Sequence, residues 1–189
     1  VPAVVRALEA DRRVASAQPN YLYSLQQTRV PAAEAKADIM AAPAPKPYGD
    51  AAQYAVAKMR LQEAHAIAKG GDIRVAVIDS GIDPDHPELA GAVAGSFDTL
   101  TSQFTPHSHG TAIAALIAGH SRLMGSAPEA RILGVRAFDP TGKAAEATTF
   151  NIIRGLDWSV AQRAQIINMS FAGPADPAVN TDKVKGARK

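Results

Sequence analysis

The chain has 189 residues, of which 47% are apolar and only 5% aromatic, and its formal net charge is +2. This length and apolar content suffice for one folded domain with part of a second, and they argue against wholesale disorder. The basic residues are scattered, so no nucleic-acid partner is predicted. The longest apolar run, Ala112 to Gly119, is far shorter than the ~20 residues of a membrane helix, so no membrane span is predicted. The absence of cysteine excludes disulfides and thiolate metal sites.

The first 48 residues are predicted to form part of a small domain followed by a linker. Apolar residues at helical spacing between positions 4 and 8 predict the end of an amphipathic helix, and Val14–Leu25 predicts an extended segment. Residues 29–48 are rich in Ala and Pro, which favours an exposed, extended linker. We therefore expect three regions: 1–28, the linker 29–48, and a larger domain at 49–189.

The larger domain is predicted to alternate helices with strands. The short β-branched run Ile73–Asp79 is typical of a strand buried on both faces of a parallel sheet. This alternation indicates an α/β fold with a mostly parallel sheet, whose carboxyl-terminal edge gathers reactive groups. The other predicted elements are helices at 51–69, 111–118 and 148–162 and strands at 92–97, 131–137 and 165–171.

Two polar residues, Asp79 and His109, stand where such a sheet would bring reactive groups together. Asp79 ends the buried strand, and His109 stands at the start of a small-residue helix. A carboxylate that orients a histidine, and a histidine that takes a proton from a hydroxyl, are two thirds of a serine-hydrolase triad. Each residue also has a simpler interpretation, because Asp-Ser-Gly is ordinary turn chemistry and a histidine often serves as a structural hydrogen-bonding group at a helix start.

Two other chemistries fit this pattern less well. His107 and His109, with Asp79 or His86, would form a metal site, but a spacing of two residues at a helix entrance is not a standard ligand pattern. A nucleotide-binding or phospho-acceptor domain would also place Asp79 after a strand. The lack of a glycine-rich phosphate loop after that strand disfavours this third interpretation.

Five segments of the chain match one known arrangement in order. They are VAVIDSGIDPDHPEL at 75–89, SHGTAIAALIAG at 108–119, GSAPEA at 125–130, GLDWS at 155–159 and IINMSFAGP at 166–174. Together they resemble the subtilisin-like serine peptidases, the subtilase or S8 family, and residues 7–21 resemble the closing half of that family's inhibitory pro-domain. The resemblance implies the N-terminal portion of a three-layer subtilisin-like α/β fold with a mostly parallel sheet, preceded by part of an α+β ferredoxin-like pro-domain.

The resemblance also implies roles for individual residues. Asp79 would be the triad carboxylate and His109 the general base. The strand that pairs with the substrate backbone would comprise Ser170, Phe171 and Ala172. Glu88 falls where some members place an acidic calcium ligand, so no cofactor is certain and calcium is left open as a structural ion.

The sequence departs from the family pattern in four places. No Gly-Thr-Ser segment that would carry the nucleophile is found, and the later asparagine that donates to the oxyanion is absent. Ala112 stands where a second histidine is frequent, and Ala172 and the segment 145–147 stand where glycines are usual. Because loss of the nucleophile alone costs about 10⁶ in turnover, we expect this chain to be inactive by itself.

We therefore expect this chain to be part of a secreted serine endopeptidase precursor. The endopeptidase would act on polypeptides and would have its own pro-domain segment as a partner. Asp79 and His109 are present, and the serine nucleophile is expected outside these residues. The alternative is a catalytically dead, subtilase-like module that binds peptides without cleaving them. A glycine-flanked serine that opens a helix further along the reading frame would favour the peptidase.

Overall fold

The computed structural model describes residues 1–25, 48–101, 103, 107–141, 144–176 and 178–179. All but the last residue of the linker predicted at 29–48 lies outside them, so the three-region division stays a prediction. The helices are α1 (Pro2–Glu9), α2 (Tyr54–Lys58), α3 (Leu61–His65), α4 (Ser108–Ala118) and α5 (Thr149–Ala161), and the strands are β1 (Leu22–Leu25), β2 (Arg74–Asp79), β3 (Val93–Asp98), β4 (Arg131–Arg136), β5 (Glu146–Thr148), β6 (Ile166–Asn168) and β7 (Phe171–Ala172).

The central feature is a parallel sheet of four strands in the order β3-β4-β2-β6. Val75 and Val77 of β2 pack with the small buried residues of α4 on one face, whereas Ile78 packs with Ile152 and Leu156 of α5 on the other. This alternation follows from the two-residue period of a strand, which sends successive side chains to opposite faces. The α/β fold with a mostly parallel sheet is therefore confirmed.

A second, smaller sheet joins the N-terminal segment, residues 1–25, to the rest of the chain. Its order is β5-β1-β7, and β1 is antiparallel to both neighbours. Of the region predicted as a pro-domain, the described residues form one helix and one strand, so the ferredoxin-like fold stays a prediction. In the part of the chain that the structure describes, every helix is too short or too polar to cross a bilayer.

Two predicted elements are divided in the structure, and both predictions were wrong in extent. The helix expected at 51–69 is broken into α2 and α3, because Arg60 adopts a left-handed conformation with φ of 54°. The break lets α3 bury Leu61 and His65, whereas α2 buries none of its residues. The strand expected at 165–171 is divided into β6, which pairs with β2, and β7, which pairs with β1.

Candidate active site

The candidate site is built around a hydrogen-bonded pair, Asp79 and His109. Asp79 is the last residue of β2 and is fully buried. His109 is the second residue of α4, and its Nδ1 lies 2.8 Å from Oδ1 and 2.9 Å from Oδ2 of Asp79. The Asp79 carboxylate also accepts the Ser80 backbone N–H at 2.7 Å. The proximity expected from the sequence is therefore found.

This contact determines which nitrogen of His109 is available for proton transfer. An ionised carboxylate only accepts hydrogen bonds, so Nδ1 must carry the proton that faces Asp79. In the neutral ring Nε2 is then the free acceptor, which is the tautomer required of a general base. The imidazole is mostly shielded, with 17% of its surface exposed, so its orientation is held by the protein.

Close backbone packing between the start of α4 and the turn after β2 brings the pair together. A Cβ on Gly110 would overlap the carbonyl oxygen of Gly81 and lie 3.2 Å from Oδ1 of Asp79. The Thr111 hydroxyl accepts the Asp83 backbone N–H at 3.0 Å, which ties the same helix turn to the same loop. Only glycine at position 110 permits this approach.

Three of the described serines, Ser80, Ser159 and Ser170, have hydrogen-bond partners other than His109. The Ser80 hydroxyl lies 3.1 Å from Oδ1 of Asp79 and 2.9 Å from Nδ1 of His107. Ser159 donates to the carbonyl of Gly155, and Ser170 donates to Oδ1 of Asn168. Among the residues that the structure describes, no serine hydroxyl is hydrogen-bonded to Nε2 of His109.

The segment predicted to bind a substrate backbone pairs with β1 in this structure. Ala172 pairs with Ser24 and Phe171 with Leu25, while Ser170 lies just outside β7. On the other side of β1, Ala147 of β5 pairs with Tyr23, and Leu25 donates its N–H to the carbonyl of Ala145 at 3.2 Å. β5 and β7 thus form the two walls of a groove that accepts an extended strand.

The Tyr23 side chain is hydrogen-bonded to the buried carboxylate of Asp176. The Tyr23 hydroxyl lies 2.9 Å from Oδ2 of Asp176, and Thr149 donates to the same oxygen at 2.7 Å. Burial of Asp176 raises its pKa, but four hydrogen bonds outweigh burial and leave the pKa below its ordinary value of 3.8. Burial is the largest cause that raises the pKa of Tyr23, and the hydrogen bond to Asp176 raises it further.

We expect Asp176 to lose its stabilising effect as the pH falls below about 3.8. Its pKa is lower in the folded chain, so the ionised form stabilises the fold above the ordinary pKa of 3.8 and that contribution disappears as the pH falls through the lowered value. The difference in unfolding free energy between the wild type and Asp176→Asn should be constant near neutral pH and shrink in acid. A difference that does not change with pH would contradict this.

Glu88, which the resemblance associated with calcium, has a structural role here. Its buried carboxylate accepts the backbone N–H groups of Ser121, Arg122 and Leu123 at 3.2, 2.9 and 3.0 Å. In the part of the chain that the structure covers, no group of three or more His, Asp or Glu side chains is arranged to hold a metal ion. Calcium binding therefore stays a prediction without a described ligand set.

Replacing Glu88 by glutamine is expected to lower the free energy of unfolding by about 1–3 kcal/mol, because an amide nitrogen would face a buried donor. Denaturant unfolding of the purified chain measures this. Glu129→Gln is the matched control, since the Glu129 side chain is 57% exposed and its ion pair with Lys69 is on the surface. Equal losses for the two variants would contradict the role of Glu88.

Sequence reasoning considered His107 only as a metal ligand and did not consider Asp176. His107 lies beside Ser80, and its Nδ1 accepts the His109 backbone N–H at 3.3 Å, which makes it the N-cap of α4. Asp176 was missed because nothing local distinguishes it, and its partners Gln18, Tyr23 and Thr149 are distant in sequence. Histidine is not among the residues that usually signal an N-cap, so the sequence offered little indication of this role for His107.

Comparisons with known proteins show which proteins this chain resembles. The chain is 34% identical to thermitase of Thermoactinomyces vulgaris over 134 residues, which cover 67% of this chain and 47% of thermitase. It is 33% identical to subtilisin E of Bacillus subtilis (strain 168) over 135 residues, 67% of this chain and 34% of that protein. It therefore spans between about a third and a half of the length of these relatives.

A solved structure and a family model also match this chain. Fervidolysin from Fervidobacterium pennivorans, a keratinolytic enzyme related to subtilisin, matches with a TM-score of 0.55 and 25% identity over 70% of this chain and 23% of fervidolysin. The model of the subtilase family, Peptidase_S8, matches residues 70–188, which is more than half of the chain and includes both Asp79 and His109. The chain therefore belongs to the subtilase family.

Proposed function

We propose that the chain is part of a serine endopeptidase in which Asp79 and His109 act with a serine that lies outside these 189 residues. The observation that carries the proposal is the buried Asp79 carboxylate against Nδ1 of His109, with Nε2 left as the proton acceptor. Asp79 would orient the ring and stabilise its cation. His109 would take the serine proton and then return it to the leaving amine.

In this proposal, the polypeptide substrate lies as an extended strand between β5 and β7. The support is that β1 already pairs there, antiparallel to both walls. Main-chain hydrogen bonds of this kind bind many sequences, and the side-chain pockets along the strand then supply selectivity. The groove walls are Glu146–Thr148 and Phe171–Ala172.

The same pairing supports an inhibitory role for residues 1–28. Because β1 occupies the groove, a substrate strand cannot pair with β5 and β7 at the same time. The N-terminal segment would therefore act as an attached inhibitor, released after cleavage between about residues 25 and 48. An attached inhibitor suits a peptidase that is exported in a silent form, so we place the parent protein outside the cytoplasm.

A serine-directed phosphonate probe tests the proposal. The 189-residue chain should not be labelled, because no described serine hydroxyl is bonded to Nε2 of His109. The full-length protein, freed of its N-terminal segment, should be labelled stoichiometrically, and His109→Gln should abolish that labelling. Labelling of the 189-residue chain would overturn the assignment of the nucleophile. No labelling of the full-length protein would favour the peptide-binding module.

A further inference from the structure

The Tyr23 ring is enclosed in a pocket shaped for an aromatic side chain. Only 5% of its surface is exposed. A Cβ on Gly173 would lie 2.6 Å from Cε1 and 2.9 Å from Cγ of Tyr23, so the ring lies directly on the glycine backbone. The Phe171 ring meets the ring of Tyr23 edge-on at 5.6 Å and contacts Phe138 at 4.9 Å. A flat ring fits this space.

The bottom of the pocket is polar and is formed by the carboxylate of Asp176. Asp176 is 2% exposed and accepts four hydrogen bonds. Two donors lie outside the N-terminal segment: the Thr149 hydroxyl at 2.7 Å and the Ala178 N–H at 2.9 Å. The other two belong to the N-terminal segment: the Tyr23 hydroxyl and the Gln18 amide, each at 2.9 Å.

This division of donors makes the carboxylate a recognition group. When the N-terminal segment leaves, Thr149 and Ala178 still hold Asp176 in place, but half of its hydrogen bonds are lost. A buried carboxylate without donors is costly, so an occupant that returns a donor is favoured over one that does not. A phenylalanine ring would fill the space and leave Oδ2 of Asp176 with the Thr149 hydroxyl but without the second donor that Tyr23 supplies.

We propose that Asp176 is a specificity-determining residue, which selects peptides that present a tyrosine at the position of Tyr23 in a strand bound between β5 and β7. This inference rests on the proposed function, because it names the substrates of that groove. The ring of a tyrosine packs against the backbone of Gly173, and its hydroxyl donates to the carboxylate of Asp176 at the bottom of the pocket.

The first test requires no catalysis and uses the 189-residue chain. Tyr23→Phe removes the hydroxyl and should speed exchange of the Leu25 amide, which donates to Ala145, by about tenfold or more. Tyr21→Phe is the control, because its hydroxyl takes no part in the contacts of Asp176, and it should change the exchange little. In an Asp176→Leu background, which has a side chain of similar size and no acceptor, the effect of Tyr23→Phe should largely vanish.

The second test measures substrate choice in the full-length protein freed of its N-terminal segment. Peptides that differ only in Tyr or Phe at the proposed position should differ by about tenfold or more in kcat/KM, and Asp176→Leu, which removes the acceptor, should abolish the difference. Equal rates for the two peptides, or a preference for lysine, would overturn the selection of tyrosine. Absence of all hydrolysis would overturn the peptidase instead, and the amide-exchange cycle would still decide whether Asp176 recognises the hydroxyl.

Discussion

Replacing Asp79 by asparagine is expected to lower kcat/KM of the activated full-length protein by about 10⁴-fold while the fold is retained. The asparagine amide would present a donor or a weaker acceptor to Nδ1 of His109, so the ring would no longer hold its proton on that nitrogen. Nε2 would then be protonated and unable to accept the serine proton. Hydrolysis of a peptide substrate measures the loss, and thermal unfolding checks that the variant is folded.

The matched control is Asp85→Asn, which makes the same chemical change at an exposed residue in the loop that follows β2. It should leave the rate unchanged. If Asp79→Asn retained activity within tenfold of the wild type, the triad assignment would be wrong, because the short contacts to His109 would then serve only stability.

Replacing Gly110 by alanine is expected to destabilise the chain by about 3 kcal/mol, which is large for one methyl group. The new Cβ would overlap the Gly81 carbonyl oxygen. Because that oxygen belongs to the backbone, it cannot move aside as a flexible side chain could. Relief of the overlap would push α4 away from the turn after β2. We therefore also expect loss of the hydrogen bond between His109 and Asp79.

Denaturant unfolding measures the stability, and the chemical shifts of the His109 ring report the hydrogen bond. Gly71→Ala is the control, since its Cβ would meet only Oε2 of Glu129 at 3.5 Å, an ordinary contact distance. Equal unfolding free energies for the two variants would show that the overlap at Gly110 is relieved without cost.

Sequence patterns predicted the elements that carry the candidate site because those patterns are local. The β-branched run that ends at Asp79 forms β2, and the small-residue run after His109 forms α4, close to the predicted bounds. The break at Arg60 and the division of the strand at 165–171 were not predicted. Both depend on which surface each short piece packs against, and no local pattern records that.

The sequence by itself determined the alternation of strands and helices and the positions of Asp79 and His109 at their ends, because buried strands and helix starts have short-range signatures. Only the tertiary structure decided that β1 pairs between β5 and β7, and that Asp176 receives donors from positions as distant as Gln18. Strand pairing and buried hydrogen bonds join residues more than 100 positions apart, as with Tyr23 and Asp176. Their partners are chosen by the packing of the whole chain, which local propensity does not encode.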